Sequence, residues 1–169
     1  MFNDRLIFLF GEITPDLMSE AKKSLVEMAT INEPIYIFID TIGGDQMQAI
    51  SFVDLVRYFQ KEKGIDINTV VSGECLSAGL PLFLCGTNRY CTEYSIFMMH
   101  ESSISSDEAN TKSLASYLRI SGKIISKIMV ALLHDTKLSS EEFFKKIKSG
   151  EWWFDSKEAK KLGIVHRVI

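Results

Sequence analysis

Proline, cysteine and histidine are scarce in this chain, at three each in 169 residues. The cysteines, Cys75, Cys85 and Cys91, form no CxxC pair and are odd in number. That excludes a disulfide framework and a zinc ribbon, and leaves buried thiols acting as small hydrophobes. No apolar run approaches the roughly 18 residues of a membrane span. The apolar stretch from Leu6 to Phe10 is too short and too aromatic for a signal-peptide core, so a cytoplasmic protein is expected. Nor does one sign of charge dominate: 19 Lys and Arg face 22 Asp and Glu, for a net charge of −3. A phosphate-binding surface needs a basic excess, so no nucleic-acid partner is expected. Repeats, low-complexity tracts and Gly/Ser/Pro linkers are absent too, which points to a single domain over residues 1–169 with no metal or cofactor.

What is present is an alternation of strand and helix signals. Leu6 to Phe10 reads as a strand. Thr14, Pro15 and Asp16 start a helix with a capping hydroxyl, a proline at the first helical position and an acid near the dipole's positive end. Ile35 to Ile39 is a fully apolar, β-rich run followed by a turn at Thr41 to Gly44. Met47, Ile50, Val53, Val56 and Phe59 then give a helical stripe that Gly64 stops. Ile67 to Val71 is a third strand ended by Ser72 and Gly73, and Ser77 to Leu80 opens a short helix. Ser95 to Met99 is a strand running into His100. A capping box at Ser105 and Glu108 begins the longest helix, to about Leu133. Ser139 opens another helix, which Gly150 stops. Trp152 to Phe154 is extended, Asp155 caps a last short helix, and Ile164 to Val168 closes the chain as a strand. The pattern is α/β with more than one βα unit.

Three features fall at strand ends, where function concentrates. Gly43 and Gly44 permit backbone conformations closed to other residues and a close ligand approach, though a plain tight turn has the same signature. Ser77 stands between a strand end and a helix start, with small Ala78 and Gly79 beside it. The N–H of Ala78 lacks a helical partner there and is suited to an oxyanion. On local signals alone Ser77 reads first as a simple helix cap. His100 follows an apolar strand, and imidazole titrates near neutral pH, as a general base requires. His134 and His166 lie at a helix end and in the terminal strand, so His100 is the best-placed candidate.

Taken in order, these segments resemble the Clp protease proteolytic subunit family. The likeness runs from Arg5 to Val168. It is carried by Arg5 to Ile13, Ile35 to Gly44, Gly73 to Gly79, Phe97 to His100, and Ser156 to Val165. The resemblance implies a ClpP/crotonase-like spiral of ββα units with a projecting handle helix. It implies a serine endopeptidase with Ser77 as nucleophile, His100 as base, and the N–H groups of Gly44 and Ala78 as oxyanion donors. It further implies two stacked rings of identical subunits, peptide or unfolded-protein substrates, and a ring-shaped AAA+ unfoldase ATPase as partner.

Glu151 stands where the family carries its catalytic aspartate, with Asp155 as the substitute. Ile42 replaces the proline usual before the double glycine, and the first strand begins almost at once, where the family carries an ATPase-contacting segment. Two other readings stay open: a ring subunit of little or no activity serving as scaffold, and a crotonase-like acyl-CoA enzyme, which needs two oxyanion donors but no serine.

Overall fold

A computed structural model describes residues 4–101 and 112–169. The capping box at Ser105 and Glu108 lies outside the described residues. The elements are β1 (Leu6–Ile13), α1 (Pro15–Met28), β2 (Ile35–Gly44), α2 (Gln46–Lys63), β3 (Ile67–Leu76), α3 (Gly79–Leu84), β4 (Arg89–Cys91), β5 (Ile96–Met99), α4 (Lys112–Leu133), α5 (Ser140–Lys148), β6 (Trp152–Asp155), α6 (Ser156–Lys161) and β7 (Arg167–Val168).

The helix signals act as expected. Thr14 Oγ1 accepts the N–H of Leu17 with Pro15 in the first turn. Gly64 ends α2 in the left-handed region at φ 64°, and Asp45, which the sequence did not single out, caps its start. Ser139 and Glu142 form a reciprocal capping box on α5. Met18, Ala21 and Leu25 of α1 and Ile50, Phe52, Val53 and Val56 of α2 are buried against the sheet. Removing such a side chain costs about 2–5 kcal/mol.

The strands depart from expectation in one systematic way. β1, β2 and β3 continue past the residues that read as stops. The β1–β2 register shifts between Phe10 and Glu12, and the β2–β3 register shifts between Ile39 and Thr41. Gly11 at φ 82° and Gly73 at φ 148° sit at these irregularities. Asp40 lies between them. Its Oδ1 accepts the N–H of Glu74 at 2.9 Å, and a Cβ on Gly73 would lie 2.5 Å from that same oxygen. A row of bulges thus crosses three strands and turns the sheet, as bulges do. Thr41 to Gly44 is therefore strand, not a turn.

Below the row the order is β1-β2-β3-β4-β7, all parallel. Above it, Glu74 to Leu76 of β3 leave β4 and pair with β5, which pairs antiparallel with β6. β3 is the strand that forks. β4, only three residues long, was not signalled by periodicity, and the final strand is Arg167–Val168 rather than Ile164–Val168. Among the described residues no helix is long and apolar enough to cross a membrane.

Arg89 ties the C-terminal segment down. It is 2% exposed. Its guanidinium donates to the carbonyls of Ile164 at 2.7 Å, Asp135 at 3.0 Å and Gly163 at 3.1 Å. His166 stacks its demands on the same group. Its Nε2 faces Arg89 Nη2 at 2.7 Å, and its Nδ1 accepts the Arg89 N–H at 3.3 Å. Burial first, then the nearby charges of Arg89 and Lys160, hold the imidazole below its ordinary range, against a weaker pull from Asp135. Because the folded value is depressed, the neutral ring's contribution is complete above about pH 6.5 and is lost as pH falls through the folded value. His166→Gln is therefore expected to flatten the fall in melting temperature between about pH 7.5 and pH 5. An unaltered slope would show that another group governs it.

Candidate active site

β3 delivers Ser77. The strand ends at Leu76, and Ser77 takes φ 52°; among the described residues no other non-glycine has positive φ. A non-glycine held there is strained, and such residues persist where the surroundings over-determine them. Here the Ser77 N–H donates to the Met98 carbonyl of β5 at 2.8 Å, and its own carbonyl accepts from Leu80 at 3.1 Å. Ser77 does not cap α3. That position belongs to Ala78, which has no side-chain cap bond. The hydroxyl is free for other work.

That work is with His100. Ser77 Oγ lies 2.8 Å from His100 Nε2, and both residues are half-buried. β5 carries His100 at its end, beside the forked half of β3. Nε2 accepts the hydroxyl proton when the ring's own proton is on Nδ1.

The double glycine backs onto the serine. A Cβ on Gly43, at φ 96°, would stand 2.8 Å from Ser77 Cβ, 2.9 Å from the Leu76 carbonyl oxygen and 3.4 Å from the Ala78 nitrogen. Gly44, at φ 142°, presses against Ile13, whose carbonyl oxygen would be 2.5 Å from a Cβ there. Ala78 is 1% exposed, and its N–H finds no acceptor among the described residues. Buried N–H groups are rarely left in that condition.

Thr41, which the sequence did not single out, braces this corner. Its Oγ1 donates to the Gly11 carbonyl and accepts the Gly43 N–H at 3.1 Å. Its Cγ2 would be 2.6 Å from a Cβ on Gly79. A hydroxyl just before a glycine pair was the available signal.

The two candidate carboxylates part company. Asp155 Oδ1 accepts the Glu158 N–H at 2.8 Å and caps α6. It pairs with Ile96, four residues along β5 from His100, or about 13 Å at strand rise. Glu151 is exposed, follows Gly150 at φ 130°, and accepts a hydrogen bond from Trp153 Nε1 at 3.0 Å. No carboxylate among the described residues is hydrogen-bonded to His100.

Cys75, two residues before Ser77, is fully buried, and burial followed by the neighbouring Cys91 raises its thiol far above the ordinary range. It is no competing nucleophile, since the thiolate is the reactive form. Beside His100 opens a cavity of about 490 Å³ lined by Met99, Leu118, Ile125, Met129, Phe143 and Phe144. α4 and α5 form its apolar wall.

Comparison with known proteins gives a consistent result. A family model for Clp protease matches residues 1–169. The chain is 25% identical over its whole length to ATP-dependent Clp protease proteolytic subunit 2 of Borreliella burgdorferi, covering 84% of that protein. It is 25% identical, again over its whole length, to subunit 3 of Rhizobium meliloti, covering 85% of it. A substitution mutant of ClpP1 from Listeria monocytogenes superposes with a TM-score of 0.81 at 24% identity, over 98% of this chain and 91% of that one. The fold, a mixed α/β arrangement with a parallel sheet, is therefore that of ClpP. By a match that spans every residue, the chain belongs to the Clp protease family.

Proposed function

We propose that this chain is a serine endopeptidase that hydrolyses peptide bonds in unfolded proteins or peptides within a ring-shaped oligomer served by a Clp-type ATPase. The observation that carries the reading is the 2.8 Å approach of Ser77 Oγ to His100 Nε2. In the proposed reaction Ser77 Oγ attacks the scissile carbonyl carbon while its proton passes to His100 Nε2. The carbonyl oxygen becomes an anion that accepts hydrogen bonds from the N–H groups of Gly44 and Ala78. A donor of this kind contributes about 3 kcal/mol. Collapse breaks the C–N bond, and His100 returns the proton to the departing amine. Water, deprotonated by His100, then releases the acyl group from Ser77. The apolar cavity beside His100 suits a nonpolar side chain of the substrate. Glu151 is the proposed orienting carboxylate.

Ring assembly and the ATPase rest on the relatives, whose names describe proteolytic subunits of an ATP-dependent protease. The acyl-CoA reading has no use for a serine–imidazole pair at hydrogen-bond distance. A fluorophosphonate probe tests the proposal. Labelling is expected in the native protein and in Cys75→Ser, and is expected to vanish in Ser77→Ala. A folded, ring-forming protein that takes no label would leave only the scaffold reading.

A further inference from the structure

We propose that Trp153 is a positioning residue that competes with His100 for the carboxylate of Glu151, and so sets how often the base is oriented. This rests on the hydrolytic reading of Ser77 and His100. The β5–β6 ladder pairs Ile96 with Asp155, Phe97 with Phe154, Met98 with Trp153 and Met99 with Trp152. Continued by one residue, the same register sets His100 opposite Glu151. Opposed residues of an antiparallel pair point to the same face, and alternate residues share it. His100, Glu151 and Trp153 therefore project from one face of the ladder. Glu151 is directly across from the imidazole, while Trp153 sits diagonally from it and within reach of a long side chain.

The carboxylate has two donors to choose between. It is bonded to the indole Nε1–H at 3.0 Å. The imidazole, with Nε2 on the serine, presents its other nitrogen as an N–H donor that needs an acceptor. Trp153 is 50% exposed although its neighbours Trp152 and Phe154 are buried in a stack of rings. Its indole packs little, so its polar contact is the one with Glu151. A rotation of the Glu151 side chain exchanges one partner for the other with no change in the strand.

Trp153→Phe keeps an aromatic ring and removes the N–H. Peptide turnover is measured in the assembled native protein, Trp153→Phe, Glu151→Gln and the double variant, with Ser77→Ala as reference. Loss of the competing bond is expected to raise kcat about fivefold with KM unchanged. The gain is expected to disappear in the Glu151→Gln background. A low-field proton resonance from His100 Nδ1–H is expected to strengthen in Trp153→Phe. Trp153→Leu, which also lacks the N–H, carries the same expectation should the phenylalanine variant fold poorly. A rate at or below native in both, or a gain that survives Glu151→Gln, would overturn the competition. If Ser77→Ala still turned over peptide, the hydrolytic reading beneath it would fall instead.

Discussion

His100→Ala is expected to slow acylation of Ser77 by roughly four to six orders of magnitude. The serine hydroxyl is a poor nucleophile until its proton has somewhere to go. In the proposed reaction the taker is a single nitrogen, His100 Nε2, which lies 2.8 Å from Ser77 Oγ. Neither of the other histidines can substitute. His166 is bound to Arg89 at the opposite edge of the sheet, and His134 pairs with Asp135 in an exposed position. The effect on stability should be slight, since the ring is only half-buried and lies at a strand end. Changes at such positions stay within about 1 kcal/mol. Single-turnover labelling by a fluorophosphonate, set beside a thermal melt, separates the two quantities. Labelling within tenfold of native in a folded variant would remove His100 from the mechanism.

Gly43→Ala should reach the chemistry by a different route. The added methyl would meet Ser77 Cβ at 2.8 Å and the Leu76 carbonyl at 2.9 Å, on a residue already at φ 96°. Backbone cannot yield as a flexible side chain does, so the serine or the end of β2 must shift. A displacement near 1 Å at a reacting group costs on the order of a hundredfold in rate. The backbone conformation itself adds about 1–3 kcal/mol of instability. Gly64→Ala is the matched control. Its φ is 64°, yet nothing lies within 4 Å of its Cβ, so stability should fall while turnover per folded molecule holds. Equal turnover in both variants would show that Gly43 serves only the end of β2.

The sequence made the helices legible because their signals are local. Thr14, Ser139 and Gly64 each act within one turn of where they stand. It misled at the strand ends for one physical cause. Gly11, Asp40 and Gly73 have low strand preference and read as stops. In space they line up as bulges, and the meaning of a bulge depends on the neighbouring strand. The same limit applied to Ser77. Its local signals favour a helix cap over a nucleophile. Its partner, 23 residues away, is set by β3–β5 pairing that no periodicity encodes. Glu151 shows what remained hidden. Its approach to His100 is set by the β5–β6 register, whose last pair is Met99 with Trp152, and its bond to Trp153 depends on a rotamer. Arg89 is a charged residue, yet it is buried because four carbonyls converge on it.

The fork in β3 divides the site into parts of unequal permanence. Ser77 ends the strand woven into both halves of the sheet, and His100 ends β5, which is paired directly to that strand, so separating the two means breaking the β3–β5 ladder. Glu151, the proposed carboxylate, immediately precedes β6, which touches the sheet through four pairings on one side and lies between α5 and α6 in the chain. A short outer strand of this kind can peel back without unfolding what lies beneath it. In the proposed mechanism, a displacement of β6 would carry off the proposed orienting carboxylate while Ser77 and His100 stayed in register, leaving a folded chain with an unoriented base.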